Sequence, residues 1–400
     1  MSAVDRLVCY GGARATLVAR LGGERLVSVD VHPAGRDDRA GSILLARVER
    51  FAPELDAAFV DIGGGRGGFL RRQDMVGFDR EPPPAGMPLL VQIVRDAVAD
   101  KGARVTMNIG LAGRYLVFKP HEQDVAFSRR IAGEAERARL ALAARSCGEE
   151  GGFTVRTAAV GAAADLVTRE GLALIGRWDG MRSRALAASP PFVLHAEPHP
   201  VLRLQRDHGG ELAEIVVDDR PLAIRLRQAI DSVGDHTVLR VVDPSEGSVL
   251  DVADVGGQIE AALAPRIVLP SGVELLFEPG RTLCAIDVDS GATTGRGARP
   301  ARSPLEANLE AAVEIARQLR LRNIGGIVVV DFIDMRPQAD RNRLQAALAA
   351  HVLDDIVATQ VVGMTRLGLM EITRARLGPT LADALAAVGM AGEEHGVPDP

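Results

Sequence analysis

Two aspartates that end two apolar segments are the residues of this sequence best placed to do chemistry. Asp287 closes the run TLCAID, Asp331 closes the run IVVVD, and Asp289 follows two residues after the first acid. Side chains alternate along a strand, so Asp287 and Asp289 share a face with Cβ atoms roughly 6–7 Å apart. Mg²⁺ prefers oxygen ligands and keeps several waters, so one or two carboxylates can hold it. Such an ion could polarise a phosphoryl oxygen and activate a water for phosphodiester cleavage.

The alternative for any single aspartate is a helix cap or an ion pair with an arginine. The segment between the two acids favours the metal site, because it predicts a helix that joins two strands. Ser303 can cap this helix, Pro304 fits its first position and Glu306 completes a capping box. Such a crossover makes the two strands parallel and brings both acidic ends to one edge of a sheet. The predicted buried face of the helix comprises Leu305, Leu309, Ala312, Val313, Ala316 and Leu319.

The rest of the sequence predicts further elements around this crossover. Short strands with turn signals between residues 37 and 118 indicate a small barrel. Helices are expected at 132–145 and near 162–169. The four prolines of 188–200 predict a connector, with His195 and His199 in a loop. Alternating strands and helices from about residue 263 to 385 predict an α/β layer with largely parallel pairing.

The composition limits the class of protein. Four hundred residues with 47% hydrophobic and 25% charged content predict a soluble globular chain of two or three domains. The sequence predicts no membrane span and no secretory signal. Cys9, Cys147 and Cys284 lie far apart, which favours a reducing cytosol over a disulfide framework or a cysteine zinc site. The net charge of −6 excludes a protein that is basic all over, but not a local basic groove.

Several longer motifs resemble the ribonuclease E/G family of bacterial endoribonucleases. The run NLEAAVEIARQLRLRNIGGIVVVDFIDM from Asn308 to Met335 and the run AIDVDSG from Ala285 to Gly291 carry most of the resemblance. Shorter motifs follow the family order up to about residue 380. They are AAFVDIG at 57–63, DKGAR at 100–104, LAGRYLV at 111–117, SRRI at 128–131, VRTA at 155–158 and TRLGLME at 365–371.

The resemblance implies a mixed α+β and α/β multidomain fold. Its parts would be an RNase H-like subdomain (1–36 with 200–262), an inserted OB-fold RNA-binding barrel (37–118), a 5′-sensor region (119–199), a DNase I-like catalytic α/β subdomain (263–385) and a loose tail (386–400).

The resemblance also implies roles for the acids and for one Arg–Thr pair. Asp287 and Asp331 match the aspartates that hold the catalytic Mg²⁺ in the family, and Asp289 would assist them. Arg156 and Thr157 match the pair that grips a 5′-monophosphate. A guanidinium and a hydroxyl suit that ligand, because together they offer three hydrogen bonds, two of them charge-assisted.

RNA contacts are implied for four residues of the barrel. Phe59 and Phe69 match aromatics that contact RNA, and stacking on an aromatic ring is worth about 1–3 kcal/mol for any base. The alternative for Phe59 is a core phenylalanine, because its neighbours in the run AAFVD are apolar. Lys101 and Arg104 would contact phosphates, with solvated surface charge as the alternative.

Two departures from the family pattern bear on cofactors and assembly. The family usually carries a C-P-x-C motif whose thiolates share a zinc between protomers, and the segment 373–390 has no cysteine. We therefore expect no structural zinc, and a homo-oligomer would need other contacts. Asp289 stands where the family commonly has Asn. The extra carboxylate would tighten Mg²⁺ binding or raise the pKa of a neighbouring carboxylate.

The sequence thus predicts a cytoplasmic, Mg²⁺-dependent endoribonuclease of the shorter ribonuclease G type. It would hydrolyse single-stranded RNA, favour 5′-monophosphorylated substrates, leave a 3′-hydroxyl and a 5′-phosphate, and act in rRNA processing and mRNA decay. The alternative is a catalytically weak RNA-binding protein of the same fold. A purely structural factor in ribosome or RNA assembly is a third hypothesis.

Overall fold

Two compact units make up the chain in the computed structural model. The first unit comprises residues 1–35, 210–228 and 236–400, and the second comprises residues 36–209 and 229–235. The structure describes residues 4–34, 39–65, 67–78, 80–97, 102–128, 131–208, 212–232, 236–243, 245, 247–291, 303–353, 355 and 357–390.

The described elements are strands and helices that alternate irregularly along the chain. The strands are β1 (Arg6–Gly11), β2 (Ala15–Gly22), β3 (Arg25–Pro33), β4 (Ile43–Ala52), β5 (Ala57–Asp61), β6 (Gly68–Arg71), β7 (Pro88–Arg95), β8 (Ala103–Thr106), β9 (Leu111–Ala112), β10 (Leu116–Lys119), β11 (Val125–Phe127), β12 (Gly152–Val155), β13 (Phe192–His195), β14 (Glu214–Val217), β15 (Val238–Val241), β16 (Arg266–Val268), β17 (Glu274–Pro279), β18 (Leu283–Asp289), β19 (Gly326–Asp331), β20 (Thr359–Met364) and β21 (Met370–Arg374). The helices are α1 (Glu134–Arg145), α2 (Ala164–Ala187), α3 (Pro200–His208), α4 (Arg220–Ser232), α5 (Val255–Leu263), α6 (Pro304–Leu321), α7 (Gln338–Val352) and α8 (Leu381–Ala387).

The first unit contains a five-stranded mixed sheet in the order β15-β14-β1-β2-β3. β1, β2 and β3 form an antiparallel meander, and β14 and β15 extend it in parallel from β1. Residues of α5 and α8 close the core of this sheet together with Val8, Leu17 and Leu26.

The second sheet of the first unit has six strands in the order β16-β17-β18-β19-β21-β20. Among these described strands, β18 and β19 form the one parallel pair, and the other neighbours are antiparallel. The expectation of largely parallel pairing is therefore wrong. Short hairpin connections join β16 to β17, β17 to β18 and β20 to β21, and such connections make neighbouring strands antiparallel. One face of the sheet packs on α6 and α7 around Phe277, Ile286 and Val330.

α6 begins with the capping box that the sequence predicts. The Ser303 hydroxyl accepts from the Glu306 N–H at 3.3 Å, and the Glu306 carboxylate accepts from the Ser303 N–H at 3.1 Å. The buried side is broader than predicted and is displaced from Leu305, Leu309 and Val313, which are half-buried. The reason is that α6 also contacts β3, so a second side of the helix is covered.

The second unit contains a closed five-stranded barrel, as the short strands and turns predict. Its order is β4-β5-β6-β8-β7, and β7 pairs back onto β4. β6 and β8 are parallel, and the remaining pairs of the barrel are antiparallel. The interior is apolar and includes Leu44, Val60, Leu70, Val91 and Val105. The barrel is consistent with an OB-like domain.

The second unit also contains a four-stranded sheet, β11-β12-β10-β9, packed on α1 and α2, and β13 pairs antiparallel with the barrel strand β4. α2 extends to Ala187, well beyond the predicted helix near 162–169, because its apolar side continues through Leu174, Trp178 and Met181. The predicted connector at 188–200 ends in α3, which begins at Pro200, since proline is tolerated in the first turn of a helix. His195 ends β13 and is not in a loop.

No helix in the described part of the chain has the length and apolar character needed to cross a membrane.

Candidate active site

Asp287 and Asp331 lie side by side at the ends of β18 and β19. Their Cα atoms are register partners in the parallel pair, and neighbouring strands lie about 4.8 Å apart. Both side chains are exposed. They point away from the face that packs on α6, on which the preceding residues, Ile286 and Val330, are buried. The structure thus brings together the two acids that the crossover predicts.

This pair of carboxylates carries no compensating cation among the residues that the structure describes. Within that part of the chain, neither Asp287 nor Asp331 takes part in an ion pair or a side-chain hydrogen bond. Two adjacent carboxylates repel each other, and a divalent cation between them relieves that repulsion. The donor set fits a hard cation with oxygen ligands. The alternative roles of helix cap and arginine partner have no support in the described contacts.

Asp289 lies on the same exposed face but in a different electrostatic setting. It is the register partner of Glu274 on β17, and its carboxylate accepts from the Gly291 N–H at 3.2 Å. Arg266 forms an ion pair with Glu274, and the hydrogen bond and charge of that pair, with a smaller contribution from Asp289, raise the pKa of Arg266. No group of three His, Cys, Asp or Glu side chains in the described residues is arranged to hold a metal. Two carboxylates are enough for a hard cation such as Mg²⁺, which keeps several of its waters.

Asn308 on α6 is a residue of this site that the sequence did not single out. It is fully buried and hydrogen-bonds both backbone groups of Ile333, two residues beyond Asp331. A polar residue in the middle of the apolar side of a predicted helix is the signal that could have identified it. These hydrogen bonds hold the segment after Asp331 against α6, the helix that connects the two acidic strands.

A row of aromatic and cationic side chains crosses the outer face of the barrel. Phe59 on β5 and Phe69 on β6 are register partners, and their ring centroids lie 5.7 Å apart in an edge-to-face arrangement. Both rings are half-buried, whereas Ala58 and Val60 are fully buried in the interior. The alternative of Phe59 as a core residue is therefore wrong, because the strand alternation turns it outward.

Arginines extend this row on both sides. The Arg50 guanidinium on β4 lies 4.2 Å from the ring centroid of its register partner Phe59. On the other side, Arg104 on β8 is the register partner of Phe69, and Arg95 on β7 follows it. Arg104 also forms an ion pair with Asp74, in which Nη2 lies 3.3 Å from Oδ2.

Arg50 and Arg95 carry no local sequence signal, and only the cross-strand pairing places them in the row. Lys101, which was predicted to contact phosphate, lies outside the described residues.

Arg156 and Thr157 follow β12 and lie on the surface of the sheet that packs on α1 and α2. The exposed Thr157 hydroxyl lies 3.1 Å from the Ser128 hydroxyl. The Arg156 Nη1 donates to the Gly113 carbonyl oxygen and to Asp207 Oδ1, the latter at 2.8 Å. Arg156 is therefore oriented by its neighbours. Asp207 joins this group only through the tertiary structure, since no local sequence pattern connects it with Arg156.

Comparison with known proteins identifies one family. The sequence profile described as the Ribonuclease E/G family matches residues 110–377. Ribonuclease E of Escherichia coli (strain K12) is 33% identical over 389 residues, covering 92% of this chain and 36% of that protein. Ribonuclease G of the same strain is 33% identical over 389 residues, covering 92% of this chain and 79% of that protein. Ribonuclease E of Nostoc sp. is 35% identical over 356 residues, covering 85% of this chain and 52% of that protein.

The matched relatives differ in how much of their length this chain accounts for. The chain spans 36% of one ribonuclease E and 52% of another, against 79% of ribonuclease G. The similarity covers the segments that carry the acid pair, the barrel row and Arg156.

Proposed function

Because the chain belongs to the ribonuclease E/G family, we propose that it is an endoribonuclease that hydrolyses single-stranded RNA in RNA processing and decay. The observation that carries this proposal is the pairing of Asp287 with Asp331 on neighbouring parallel strands, exposed and without a cationic partner among the described residues. Relatives named ribonuclease E and ribonuclease G support the reaction class.

Mg²⁺ is the cofactor in this proposal, and Asp287 and Asp331 are its ligands. When bound, it supplies Lewis-acid polarisation of the scissile phosphate and lowers the pKa of a water. The chain's own residues supply rigidity: the buried core beneath β18 and β19 and the hydrogen bonds of Asn308 keep the two carboxylates in register. Asp289 assists through its charge. No side-chain nucleophile is required.

The barrel row is the proposed RNA-binding surface. Phe59 and Phe69 offer half-buried rings on which bases can stack, and stacking tolerates any sequence. Arg50, Arg95 and Arg104 supply positive charge along the same row for the phosphates. This arrangement suits a single strand, whose bases are free to turn toward the rings.

The proposed 5′-end preference rests on Arg156 and Thr157. We propose that they bind a terminal monophosphate, because a guanidinium and an exposed hydroxyl on adjacent residues offer donors of the kind phosphate oxygens accept. A 5′-monophosphorylated RNA would then be cleaved faster than the same RNA with a 5′-hydroxyl.

The finer assignments of subdomain, location and assembly belong to the same proposal. We propose that the five-stranded and six-stranded sheets of the first unit form the RNase H-like and DNase I-like subdomains that the resemblance implies, and that the sheet with α1 and α2 forms the 5′ sensor. The three cysteines are unpaired and buried, which supports a cytoplasmic enzyme. Any assembly of protomers would use contacts other than a cysteine-held zinc.

Cleavage of an A/U-rich single-stranded RNA with a 5′-monophosphate tests the proposal. We expect Mg²⁺-dependent cleavage that Asp287→Asn and Asp331→Asn each reduce by at least about a hundredfold, because removing a ligand removes the cation that stabilises the transition state. Direct Mn²⁺ binding, followed by water proton relaxation, should weaken in the same variants. Asp165→Asn, which removes an exposed acid of α2 in the other unit, serves as the matched control.

The same assay separates the enzyme from its alternative. A catalytically weak RNA-binding protein, which the barrel row taken alone also favours, would bind the oligonucleotide tightly and leave it intact. Cleavage that persists unchanged in both Asp287→Asn and Asp331→Asn would reject the acid pair as the active site.

A further inference from the structure

Arg156 uses one edge of its guanidinium group for hydrogen bonds within the protein, and the other edge remains available to a ligand. Its backbone N–H donates to the Tyr115 carbonyl oxygen at 2.8 Å, and its Nη1 donates to both Gly113 and Asp207. In the described part of the chain, Nε and Nη2 have no hydrogen-bond partner, and the side chain is 23% exposed. The edge formed by Nε and Nη2 is one of the two edges with which a guanidinium binds an oxyanion through two parallel hydrogen bonds.

The Gly113 carbonyl is a rigid acceptor for Arg156. The Glu170 carboxylate on α2 accepts from the backbone N–H groups of Arg114, Tyr115 and Leu116, at 2.6, 2.8 and 2.9 Å. A Cβ at position 113 would lie 2.5 Å from the Glu170 carboxyl carbon, so a larger residue there would displace this carboxylate. The loop from 113 to 116 is therefore fixed by α2 and is not free to follow Arg156.

Asp207, the other acceptor, is held in place on α3. Its Oδ1 also accepts from Arg206 Nε at 3.0 Å, and Arg206 in turn pairs with Glu197 at 3.1 Å. α3 is anchored by Val201 and Gln205, which are 0% and 3% exposed and lie one helical turn apart. Asp207 therefore cannot follow Arg156 outward.

Asp207 also remains ionised in this position. Burial by itself would raise the pKa of Asp207, but hydrogen bonds and charge from Arg206 and then Arg156 outweigh it and lower the pKa. Arg206 shares its positive charge between Asp207 and Glu197, and the ionised Asp207 gives Arg156 a charged hydrogen bond that fixes Nη1.

We propose that Asp207 is a positioning residue for 5′-phosphate recognition: with the Gly113 carbonyl it holds Nη1 of Arg156, so that the Nε–Nη2 edge is oriented in advance toward a terminal phosphate. This inference rests on the proposed 5′-end preference. A flexible arginine would lose rotamer freedom on binding, and an arginine already held by two acceptors has lost it beforehand.

The test compares cleavage of one RNA sequence with a 5′-monophosphate and with a 5′-hydroxyl. The measured quantity is the ratio of kcat/KM for the two substrates in the full chain. We expect Asp207→Ala to lower this ratio at least about fivefold through KM for the monophosphorylated RNA, because a charged hydrogen bond that orients the arginine is lost. Asp207→Asn keeps an oxygen acceptor for Nη1 and should restore part of the ratio. Arg156→Ala should abolish the preference, and Asp165→Asn should leave it unchanged.

The outcomes separate the 5′-end preference from the positioning role of Asp207. If Arg156→Ala lowers the ratio and Asp207→Ala does not, the 5′-sensor proposal stands and the positioning role of Asp207 is rejected. A ratio that rises in Asp207→Ala also rejects it, because Asp207 would then compete with the phosphate. If the wild-type ratio is one, or Arg156→Ala leaves it unchanged, the 5′-end preference itself fails and this inference fails with it. Equal losses on both RNAs, without rescue by Asp207→Asn, would indicate a structural role only.

Discussion

Asn308 uses both ends of its side-chain amide on the backbone of Ile333. Its Nδ2 donates to the Ile333 carbonyl oxygen at 2.8 Å, and its Oδ1 accepts from the Ile333 N–H at 3.1 Å. Asn308 is 0% exposed and lies on α6, whereas Ile333 follows the strand that ends in Asp331. These two hydrogen bonds tie the end of β19 to the crossover helix and thereby keep Asp331 in register with Asp287.

Replacing Asn308 with Ala should affect the active site more than a surface change of the same kind. The substitution leaves two backbone groups of Ile333 without partners, at a cost of about 1–3 kcal/mol for each group that stays buried. We expect a lower urea midpoint of unfolding and a lower kcat at saturating Mg²⁺. Asn342→Ala, on the exposed side of α7, removes an amide whose oxygen accepts from Gln338 Nε2 and should change neither quantity. An unchanged kcat in Asn308→Ala would show that the tie is dispensable for positioning Asp331.

Asp289→Asn should weaken Mg²⁺ binding modestly and in a salt-dependent way. If the cation lies about as far from the Asp289 carboxylate as the Cβ atoms of Asp287 and Asp289 lie from each other, roughly 6–7 Å, this carboxylate contributes about 1.3 kcal/mol in water, or about tenfold in affinity. Salt screens such an exposed interaction, so the effect should shrink as ionic strength rises. Titrating Mn²⁺ into wild type, Asp289→Asn and Asp287→Asn at two salt concentrations measures this. A loss in Asp289→Asn as large as that in Asp287→Asn, at both salt concentrations, would make Asp289 a direct ligand.

Phe59→Ala should weaken binding of single-stranded RNA without reducing stability greatly. One lost stacking interaction corresponds to about 1–3 kcal/mol, or about 5- to 150-fold in Kd. Fluorescence anisotropy of a labelled oligonucleotide without Mg²⁺ measures binding in isolation from cleavage. The matched control is Phe192→Ala, which removes an exposed phenylalanine of β13 outside the row. Equal affinities for wild type and Phe59→Ala would contradict an RNA-binding role for the ring.

Arg50→Gln should reduce the salt dependence of RNA binding. An arginine that neutralises one phosphate of a single strand contributes about 0.7 to the slope of log Kd against log salt. The variant should show a slope smaller by about that amount, and Arg182→Gln, an exposed arginine of α2, should not. If Arg50→Gln and Arg182→Gln show the same slope of log Kd against log salt, Arg50 does not contact phosphate and only packs on the face of Phe59.

Glu314→Gln should destabilise the first unit and remove part of its pH dependence. The Glu314 side chain is 4% exposed and accepts hydrogen bonds from Arg317, Gln318 and Arg25. Burial alone would raise the pKa of Glu314, but the hydrogen bonds and charges of these partners lower it. A depressed pKa stabilises the fold above the ordinary value of 4.5, and this contribution is lost as the pH falls below that value.

At neutral pH we expect Glu314→Gln to cost about 3 kcal/mol, because it removes the charged partner of Arg317, whose side chain is only 16% exposed. The difference between wild type and variant should narrow below about pH 4. Urea unfolding between pH 3 and pH 7 measures both effects. Asp165→Asn, whose ion pair is exposed, should change stability by less than about 1 kcal/mol over the same range. A constant difference at all pH values would contradict the assignment of the effect to the ionised carboxylate.

The acid pair could be predicted from sequence because every step is local. The alternation of β18 places Asp287 opposite the buried Ile286, and the capping box of Ser303 and Glu306 starts the helix that makes the crossover. The direction of Phe59 was left open by the sequence, because its neighbours in the run AAFVD are apolar; only the structure shows that this ring and Phe69 lie outside the barrel interior.

Local pattern carries no information about which distant elements become neighbours. Nothing in the sequence between Arg156 and Asp207 indicates that their side chains meet, since 51 residues separate them. Periodicity also did not predict the antiparallel pairing of most strands around β18 and β19. It did not predict the second covered side of α6 either. Each of these depends on how hairpins and helices pack in space.

What the sequence alone determined is the identity and local placement of the chemical groups: two strand-ending acids joined by a capped helix, and an arginine followed by threonine. Periodicity and capping are sufficient for that, because they depend on neighbours within a few residues. The tertiary structure decided which edge of Arg156 is free, which residue ties Ile333 to α6, and which arginines flank Phe59. Those relationships arise from packing between segments far apart in the chain, where the burial of apolar faces brings the polar partners together.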